Sequence, residues 1–371
     1  MTVPSSTSGP VQSEALAGLR VQIDSIDQQL LRLLNQRARV AEQVGEIKRV
    51  EGSPFFRPDR VAQVIEKIQG ANQGPLLNQH VASIWREIMS ACLALEAPQR
   101  VAVLGPEGTF TEQAAIEYFG SAANLIYCTS FDEVFHATAA GTAQFGVVGI
   151  ENSTEGVVAR TLDLFLRSPV HVVGEVSLLV RHNLLRQDNT LDGIEVVMAH
   201  PQALAQCQGW LSDHLPHAER RAVSSNAEGA RLATQNPTWA AIASERAAAQ
   251  FGLHMVSHAI QDEAYNRTRF QVICLPQTMA MPPASGRDCT SLVVSVPNRP
   301  GAVHDLLVPL KNNGVSMTRF ESRPAKSGQW EYYFYIDIAG HPSQAHVAAA
   351  LNELQGLCAY FKVLGAYPVT E

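Results

Sequence analysis

The chain has 371 residues, of which 46% are hydrophobic and 17% are charged, and its formal net charge is −7. This length predicts two or three domains, each with its own buried core. The mild acidity and the lack of a long lysine/arginine run argue against a nucleic acid or an anionic membrane as partner. Any site for an anion must therefore be local.

The beginning of the chain and its cysteines indicate a cytoplasmic protein. Residues Met1–Pro10 are small and polar, and nowhere do about 18 apolar residues run together as a membrane span requires. The six cysteines are far apart and form no paired motif, which predicts reduced thiols packed as small hydrophobes. Neither a disulfide framework nor a zinc site is indicated.

Residues 12–97 form the first predicted domain, which is all helical. Apolar residues recur in steps of four and three along nearly forty residues, which is typical of one long helix with an apolar seam. A single small domain cannot cover such a seam, so another helix must run beside it. Two further helices are predicted, one beginning at Pro58 and one from about Asn78 to Glu96. The seam consists of Leu19, Ile23, Ile26, Leu30, Leu33, Val40, Val44 and Ile47.

Positive residues lie on the same helix as this seam. Arg37 occupies the step between Leu33 and Val40, where a guanidinium is costly unless paired, so it either specifies helix register or faces a ligand carboxylate. Lys48 follows about three turns later on nearly the same face, so the two cations can hold one small dianion. Arg20 is about 25 Å from Arg37 along the axis, and it must come from a second chain if it touches the same ligand.

The inward stripe of the third helix continues beyond Cys92 to Glu96, one turn later. An acid on such a stripe is either a frayed helix end or a functional acid that holds a proton. These features resemble the all-helical chorismate mutase domain, in which three helices from each of two chains interlock and build two active sites.

The resemblance to chorismate mutase implies a set of site residues. Arg20, Arg37, Lys48 and Arg60 match cationic residues of the family, with Arg20 reaching the site of the partner chain. Glu96 falls where the family has glutamine or glutamate, and catalytic roles are implied for Arg37, Lys48 and Glu96.

The sequence departs from the chorismate mutase pattern at three positions. Arg57 replaces an acidic residue and Cys92 replaces a serine, and both stay among the candidate substrate-binding residues. Val61 replaces a glutamate that binds the substrate hydroxyl in the family.

Residues 100–278 alternate between short apolar runs and helical stretches, which predicts an α/β domain. Several predicted strands end in polar residues, at the edge where open α/β sheets bind ligands. The turn Gly105–Phe110 begins a helix whose backbone amides suit a carboxylate. Each such segment alone is also typical of an ordinary turn or helix cap. The polar residues at these ends are Thr109, Glu151, Asn152, Ser153, His200 and Gln202.

The stretch Asn266–Phe270, just before an apolar run, has an unusual combination of side chains. Thr268 lies between Arg267 and Arg269, so a hydroxyl between two guanidinium groups is placed to hold a small polyanion and donate a proton to it. The alternative is a surface turn with two solvated arginines.

In their order and spacing, these segments resemble prephenate dehydratase over the whole of residues 100–278. The resemblance implies two lobes with the fold of periplasmic binding proteins that close over prephenate, and an essential threonine at Thr268. Prephenate loses its ring hydroxyl and carbon dioxide together, so an enzyme must fix two carboxylates and assist the departing hydroxide. We expect Thr268 to donate the proton and Arg269 to anchor a carboxylate, beside Phe270. No metal or organic cofactor is implied.

Residues 288–371 follow a proline-rich linker and have the predicted order βαββαβ, typical of a ferredoxin-like sandwich whose edges pair with another copy. Two segments resemble the signatures of the ACT regulatory domain that is fused to prephenate dehydratases. In that family phenylalanine binds between paired domains. The matching residues are Gly301, Ala302 and Val303, and Glu321, Ser322, Arg323 and Pro324.

The sequence therefore predicts a multidomain bifunctional enzyme, with an all-α chorismate mutase domain, an α/β two-lobed dehydratase domain and an α+β ferredoxin-like ACT domain. The expected ligands are chorismate, prephenate and the effector L-phenylalanine, and the expected state is a homodimer or homotetramer. Two rival interpretations stay open: a dehydratase whose helical domain only dimerises, and a two-lobed small-molecule sensor without catalysis.

Overall fold

A computed structural model describes residues 10–325 and 332–369, with the backbone alone for residues 10–15. The predictions made for residues 1–9, and for the parts of the carboxyl-terminal region at 326–331 and 370–371, lie outside the described residues. No helix in the described ranges is both long and apolar enough to cross a bilayer. Within the same ranges, no group of three or more His, Cys, Asp or Glu side chains is placed to hold a metal ion.

Three helices form the amino-terminal region, as predicted: α1 (Pro10–Glu51), α2 (Pro58–Ala71) and α3 (Asn78–Glu96). α3 packs against both of the others. The close approach of α1 and α3 depends on Gly45, because a Cβ built there would lie 3.0 Å from the Cα of Glu96. The helix ends agree with the sequence signals, since Pro58 is the first residue of α2.

The apolar seam of α1 is not covered by its own chain. Its eight members from Leu19 to Ile47 are each 40–61% exposed. A contiguous apolar surface of this kind marks an interaction site in a protein that is otherwise well packed.

The central region has two lobes. The first lobe is built on β1, β2, β3, β5 and β11, in which β1 is parallel to β2 and β3, and β11 is antiparallel to β3 and β5. The second lobe has a five-stranded sheet in the order β10-β6-β9-β7-β8. The chain crosses between the lobes after β5 and again before β11. The elements are β1 (Arg100–Leu104), α4 (Phe110–Phe119), β2 (Asn124–Cys128), α5 (Phe131–Ala139), β3 (Phe145–Asn152), β4 (Gly156–Val157), α6 (Ala159–Arg167), β5 (His171–Leu179), β6 (Asn183–Arg186), β7 (Val196–Ala199), α7 (Pro201–Gln206), α8 (Gln208–His214), β8 (Glu219–Ala222), α9 (Asn226–Ala233), β9 (Trp239–Ala243), α10 (Glu245–Phe251), β10 (His254–Ser257) and β11 (Arg267–Cys274).

Phe56 is one of the residues that anchor the helical region to the first lobe. Phe56, from the loop between α1 and α2, is 4% exposed and belongs to the core beneath α4. Its ring lies 4.9 Å from that of Phe119 and 5.6 Å from that of Phe145, measured between centroids. Burial of a phenylalanine contributes about 1.5–3 kcal/mol, and hydrogen bonds from the amides of Ser121 and Ala122 to Glu87 and Ser90 of α3 add to this contact.

The carboxyl-terminal region has the predicted βαββαβ order, with sheet order β13-β14-β12-β15. β15 also meets β5 of the first lobe, where Gly365 pairs with Val172, so one ten-stranded sheet runs through both regions. A Cβ built at Gly365 would lie 2.0 Å from the carbonyl oxygen of Val172, so this junction requires glycine. The elements are β12 (Asp288–Ser295), α11 (Ala302–Asn312), β13 (Met317–Pro324), β14 (Tyr332–Ala339), α12 (Ala345–Leu357) and β15 (Tyr360–Pro368). The predicted fold class is thus confirmed in all three regions.

Candidate active sites

The first candidate site, here called the helical cavity, is a space of about 570 Å³ between the three helices and α4. Arg37 and Lys48 both line it, as their spacing on α1 predicts. Their positive charges suit a small dianion. Six predicted site residues meet here: Arg37, Lys48, Arg57, Arg60, Cys92 and Glu96.

Lys48 and Glu96 form an ion pair inside the helical cavity. The Lys48 Nζ donates to Glu96 Oε2 at 2.7 Å and to the Phe55 carbonyl at 3.1 Å. The Glu96 side chain is 11% exposed although it is the last residue of α3. Glu96 is therefore held in the cavity and is not a frayed helix end, and its carboxylate accepts a hydrogen bond in this state.

Two departures from the mutase pattern have visible consequences. The Arg57 Nε donates to Asp59 Oδ1 at 3.2 Å, and the hydrogen bond and negative charge of Asp59 raise the pKa of Arg57. Asp59 is 7% exposed, so an acid lies two residues from the position where the family has one. Val61 lines the helical cavity with an apolar side chain, so no carboxylate faces a substrate from that position.

Sequence reasoning missed several residues of the helical cavity. Arg86 of α3 and Tyr118 and Phe119 of α4 also line it. Arg86 and Leu93 are seven residues apart on one helix, a spacing that marks a second inward stripe on α3. The contribution of α4 depends on how the two regions dock, which no local pattern reveals. Arg20 is exposed and does not line the cavity of its own chain.

The second candidate site, the interlobe pocket, is a space of about 440 Å³ between the lobes. It lies where β3 ends and β11 begins, because these strands are antiparallel and Thr268 pairs with Asn152. The predicted residues that line it are Thr109, Asn152, His200, Gln202, Thr268 and Phe270.

Thr268 is oriented by Asn152, which is 9% exposed. The Asn152 Nδ2 donates to Thr268 Oγ1 at 2.8 Å and to Asn266 Oδ1 at 2.7 Å. The Asn152 Oδ1 accepts from the backbone amides of Thr154 and Glu155 at 3.0 and 3.1 Å, which fixes the orientation of the amide group. Since the Thr268 oxygen accepts one hydrogen bond, its proton is free to donate to a ligand.

The interlobe pocket carries no formal charge from lysine, arginine, aspartate or glutamate among the described residues that line it. Instead, α4 and α9 begin at its wall, with Thr109 and Ser225 as their N-cap residues. The backbone amides of a helix start attract an anion. His200 is likewise the N-cap of the short helix α7, and its Nδ1 accepts from the Gln202 amide at 3.3 Å.

Arg269 does not line the interlobe pocket, which corrects the expectation that it anchors a carboxylate there. Successive side chains of a strand point to opposite faces, so Thr268 and Phe270 face the pocket and Arg269 faces the carboxyl-terminal region. Its guanidinium binds Glu175 at 2.7 and 3.1 Å and Asp337 at 3.0 Å. Burial alone would lower the pKa of Arg269, but the hydrogen bonds and charges of these two acids hold it raised.

Glu151 and Ser153 also lie outside the lining of the interlobe pocket. The Glu151 carboxylate is 3.2 Å from Arg269 and 2.9 Å from Arg319 of β13, so it belongs to the same cluster. The Ser153 Oγ accepts from the Arg267 amide at 2.9 Å and closes the turn after β3. Their expected contact with substrate is corrected for the same reason, because only every second residue of the β3 end faces the pocket.

His182 and Gln206 of the interlobe pocket were not predicted. His182 is 3% exposed, and burial lowers the pKa of its imidazole, against a hydrogen bond with Gln206 that raises it. The His182 Nε2 lies 2.9 Å from Gln206 Oε1, and Gln206 Nε2 donates to Thr154 Oγ1 of the other lobe at 3.0 Å. Gln206 therefore bridges the lobes across the pocket.

The two predicted effector signatures do not line one common cavity within the described residues. Gly301, Ala302 and Val303 line a cavity of about 230 Å³ at the start of α11, where Gly301 adopts φ 81° and so favours glycine. The second segment, Glu321–Pro324, lies on the edge strand β13 and outside that cavity. Arg323 reaches Asp163 of α6 at 3.4 Å.

The fold and these sites define a three-domain enzyme with two separate small-molecule sites and a carboxyl-terminal domain of a regulatory type. Three family models match in the same order: "Chorismate mutase type II" at residues 19–97, "Prephenate dehydratase" at 101–278 and "ACT domain" at 290–356. A bifunctional chorismate mutase/prephenate dehydratase of Neisseria gonorrhoeae is 49% identical over 96% of this chain and 97% of its own. The chain belongs to the family of bifunctional chorismate mutase/prephenate dehydratases.

Solved structures resemble the dehydratase and ACT regions. A prephenate dehydratase from Arthrobacter aurescens in complex with L-Phe is 34% identical, with a TM-score of 0.67, over 73% of this chain and 90% of that one. A protein described as GqqA, a novel type of quorum quenching acylase, is 28% identical, also with a TM-score of 0.67, over 73% and 98% of the two chains.

Proposed function

We propose that this chain rearranges chorismate to prephenate in the helical cavity and converts prephenate to phenylpyruvate in the interlobe pocket. The observation that carries the proposal is the presence of two separate spaces with complementary chemistry. One is lined by cationic side chains with an acid, and the other by a hydroxyl whose proton is free to donate. This supports catalysis over the rival interpretation as a pure sensor.

In the helical cavity, the cations hold the two carboxylates of chorismate and stabilise the transition state. The rearrangement moves an ether oxygen away from the ring, so negative charge grows on that oxygen, and donors there act preferentially on the transition state. Lys48 acts as one donor. Glu96 becomes a second donor only when it is protonated, because an ionised carboxylate accepts hydrogen bonds.

In the interlobe pocket, Thr268 donates a hydrogen bond to the departing ring hydroxyl of prephenate while carbon dioxide leaves. Asn152 keeps the threonine oxygen in place and leaves its proton for the substrate. The amide ends of α4 and α9 receive a carboxylate, and the aromatisation of the ring drives the reaction. Because a threonine is a weak acid, positioning and polarisation supply most of the rate enhancement.

A second copy of the chain completes the mutase site. The exposed seam of α1 needs an apolar partner, and Arg20 lies far from the cavity of its own chain. A homodimer through α1, or a tetramer of two such pairs, satisfies both needs and places Arg20 in the helical cavity of the partner. We further propose that L-phenylalanine binds between paired carboxyl-terminal domains and inhibits the dehydratase. We also propose that the protein acts in the cytoplasm.

One assay tests this function. Purified protein is incubated with chorismate, and separately with prephenate, and phenylpyruvate is followed by its absorbance with and without L-phenylalanine. We expect product from both substrates and inhibition by phenylalanine. Product from prephenate alone would support the rival in which the helical domain only dimerises, and no product from either would reject the proposal.

A further inference from the structure

A series of neighbouring cavities along α4 leads from one proposed active site to the other. The carboxyl end of α4 contributes Tyr118 to the wall of the helical cavity, and its amino end contributes Phe110 to the interlobe pocket. Eight residues of α-helix separate these two side chains, which corresponds to about 12 Å. The sites are therefore close enough for direct transfer of an intermediate.

Two further cavities lie in the interval. The first, about 200 Å³, shares Val61, Arg86 and Tyr118 with the helical cavity. The second, about 480 Å³, shares Glu117 and Ser177 with the first. Each cavity shares wall residues with the next, so consecutive cavities are adjacent, with only the shared side chains between them.

The second of these cavities also borders the interlobe pocket. Phe110 and Ser244 form a wall common to both. The passage follows one face of α4, on which Phe110, Gln113 and Glu117 succeed one another at helical spacing, and the edge of β5 from Glu175 to Leu179. We call this passage the α4 groove.

The charges along the α4 groove suit a dicarboxylate. Arg86 stands at the mutase end, and Arg181 and Arg267 line the wider cavity beside the interlobe pocket. Three acids, Glu117, Glu175 and Glu245, also line the path. Two of them are partly balanced, because the charge of Arg86 acts on Glu117 and Glu175 is bound by Arg269. An anion that leaves the helical cavity therefore meets further guanidinium groups on its way.

We propose that the α4 groove passes the dicarboxylate product of the helical cavity to the interlobe pocket before it mixes with solvent. The inference rests on the proposed function, since it needs both reactions in one chain. Confinement near a second site gives an effective concentration in the millimolar range, which a dilute free intermediate does not reach.

Isotope dilution tests the proposal on the full-length protein. Labelled chorismate is supplied together with excess unlabelled prephenate. The labelled fraction of the phenylpyruvate is compared with the fraction expected if all newly formed prephenate mixed completely with the unlabelled pool. We expect label at least about threefold above that value, because captured molecules bypass the pool. Label equal to complete mixing in the wild type, with both activities present, would overturn the proposal. Loss of either activity would instead contradict the proposed function.

Blocking variants locate the path. Ser177→Trp and Gln113→Trp place an indole in the groove, and each should bring the label to the complete-mixing value while the two separate activities remain. Ser212→Trp, at an exposed serine on α8 outside these cavities, is the matched control and should retain the excess label.

Removal of a single arginine tests whether the positive charges of the α4 groove guide the dicarboxylate. Arg181→Ala should lower the excess label, whereas Arg167→Ala, at an exposed arginine on α6 outside the groove, should not. Excess label that persists in both tryptophan variants, each with both activities intact, would show that the groove is not the path. Because the two substitutions lie on different elements, failure of one variant to fold leaves the other to decide.

Discussion

The helical cavity and the interlobe pocket solve the same problem with different groups. Both are proposed to hold a small dicarboxylate, yet the first is lined by arginines and a lysine, and the second by helix starts, amides and hydroxyls. A charged side chain in a partly closed cavity must be neutralised when the ligand is absent. The Lys48–Glu96 and Arg57–Asp59 pairs do so here.

The interlobe pocket avoids that requirement. Backbone amides at a helix start are present in any case and leave no net charge behind when the ligand departs. A neutral pocket also allows two lobes to approach each other without repulsion between like charges. The comparison indicates that side-chain cations serve a cavity fixed by helices, whereas fixed dipoles serve a site between lobes.

Removal of a cation should affect only the helical cavity. Lys48→Ala should lower mutase turnover about 10²–10³-fold, the usual effect of removing one donor to a developing negative charge. Dehydratase turnover with added prephenate should stay unchanged. Lys67→Ala, at an exposed lysine of α2 outside the cavity, is the control, and an equal loss in that variant would reject the assignment of Lys48.

Removal of the hydroxyl should affect only the interlobe pocket. Thr268→Ala should lower dehydratase turnover about 10²-fold with little change in KM, because the donor acts on the departing group. Thr268→Ser retains the hydroxyl and should keep most of the activity. Near-normal turnover of the alanine variant in steady-state assays would contradict the proton-donor role.

Arg269 distinguishes a substrate anchor from a structural ion cluster. Arg269→Ala should lower the free energy of unfolding by about 1–3 kcal/mol, because Glu175 and Asp337 lose their partner. KM for prephenate should stay within about twofold, since the pocket contains no Arg269 contact. Urea denaturation and steady-state kinetics measure the two effects, with Arg167→Ala as control. A large rise in KM without loss of stability would restore Arg269 as an anchor.

Salt should separate the two sites further. Exposed ionic contacts are screened as ionic strength rises from about 0.01 M to about 1 M. KM for chorismate should therefore rise several-fold, while KM for prephenate should rise less. Equal salt dependence of the two KM values, measured with one preparation, would break the proposed distinction.

The smallest expected effect concerns His182. In the unfolded chain the His182 imidazole has a pKa of about 6.5. Burial in the fold lowers this pKa, so the unfolded state takes up the proton first as the pH falls. Its contribution to stability is therefore complete above pH about 6.5 and declines as the pH falls towards the folded pKa. In His182→Gln, the loss of unfolding free energy between about pH 7 and pH 5 should be smaller than in wild type. An identical pH dependence would reject this, and His217→Gln, at an exposed histidine, should match wild type.

Local sequence patterns predicted the helices and strands well, because the formation of these elements depends mainly on residues that are close in the sequence. Pro58 begins α2, and the apolar seam gives one long α1. The spacing of Arg37 and Lys48 was informative for the same reason, since both lie on one helix whose geometry is fixed.

Features that depend on which elements meet could not be predicted in this way. The stretch Arg267–Arg269 was interpreted as three groups around one ligand, but β11 alternates its side chains between two faces. The partner of Thr268 is Asn152, which follows from the register of β11 on β3 and not from either segment alone. Phe56 gave no sequence signal, because its burial depends on the first lobe.

The single pairing of Gly365 with Val172 limits how this enzyme can be modified by recombination. The carboxyl-terminal region shares a sheet with β5, the strand next to β11, and its Asp337 binds Arg269 of β11. This region therefore cannot be exchanged as an independent unit. A regulatory domain borrowed from another protein would need a glycine at this strand crossing and an acid facing Arg269. Grafts that lack either would disturb the dehydratase itself, so new effector specificity is better sought by altering the loop before α11 than by exchanging the whole domain.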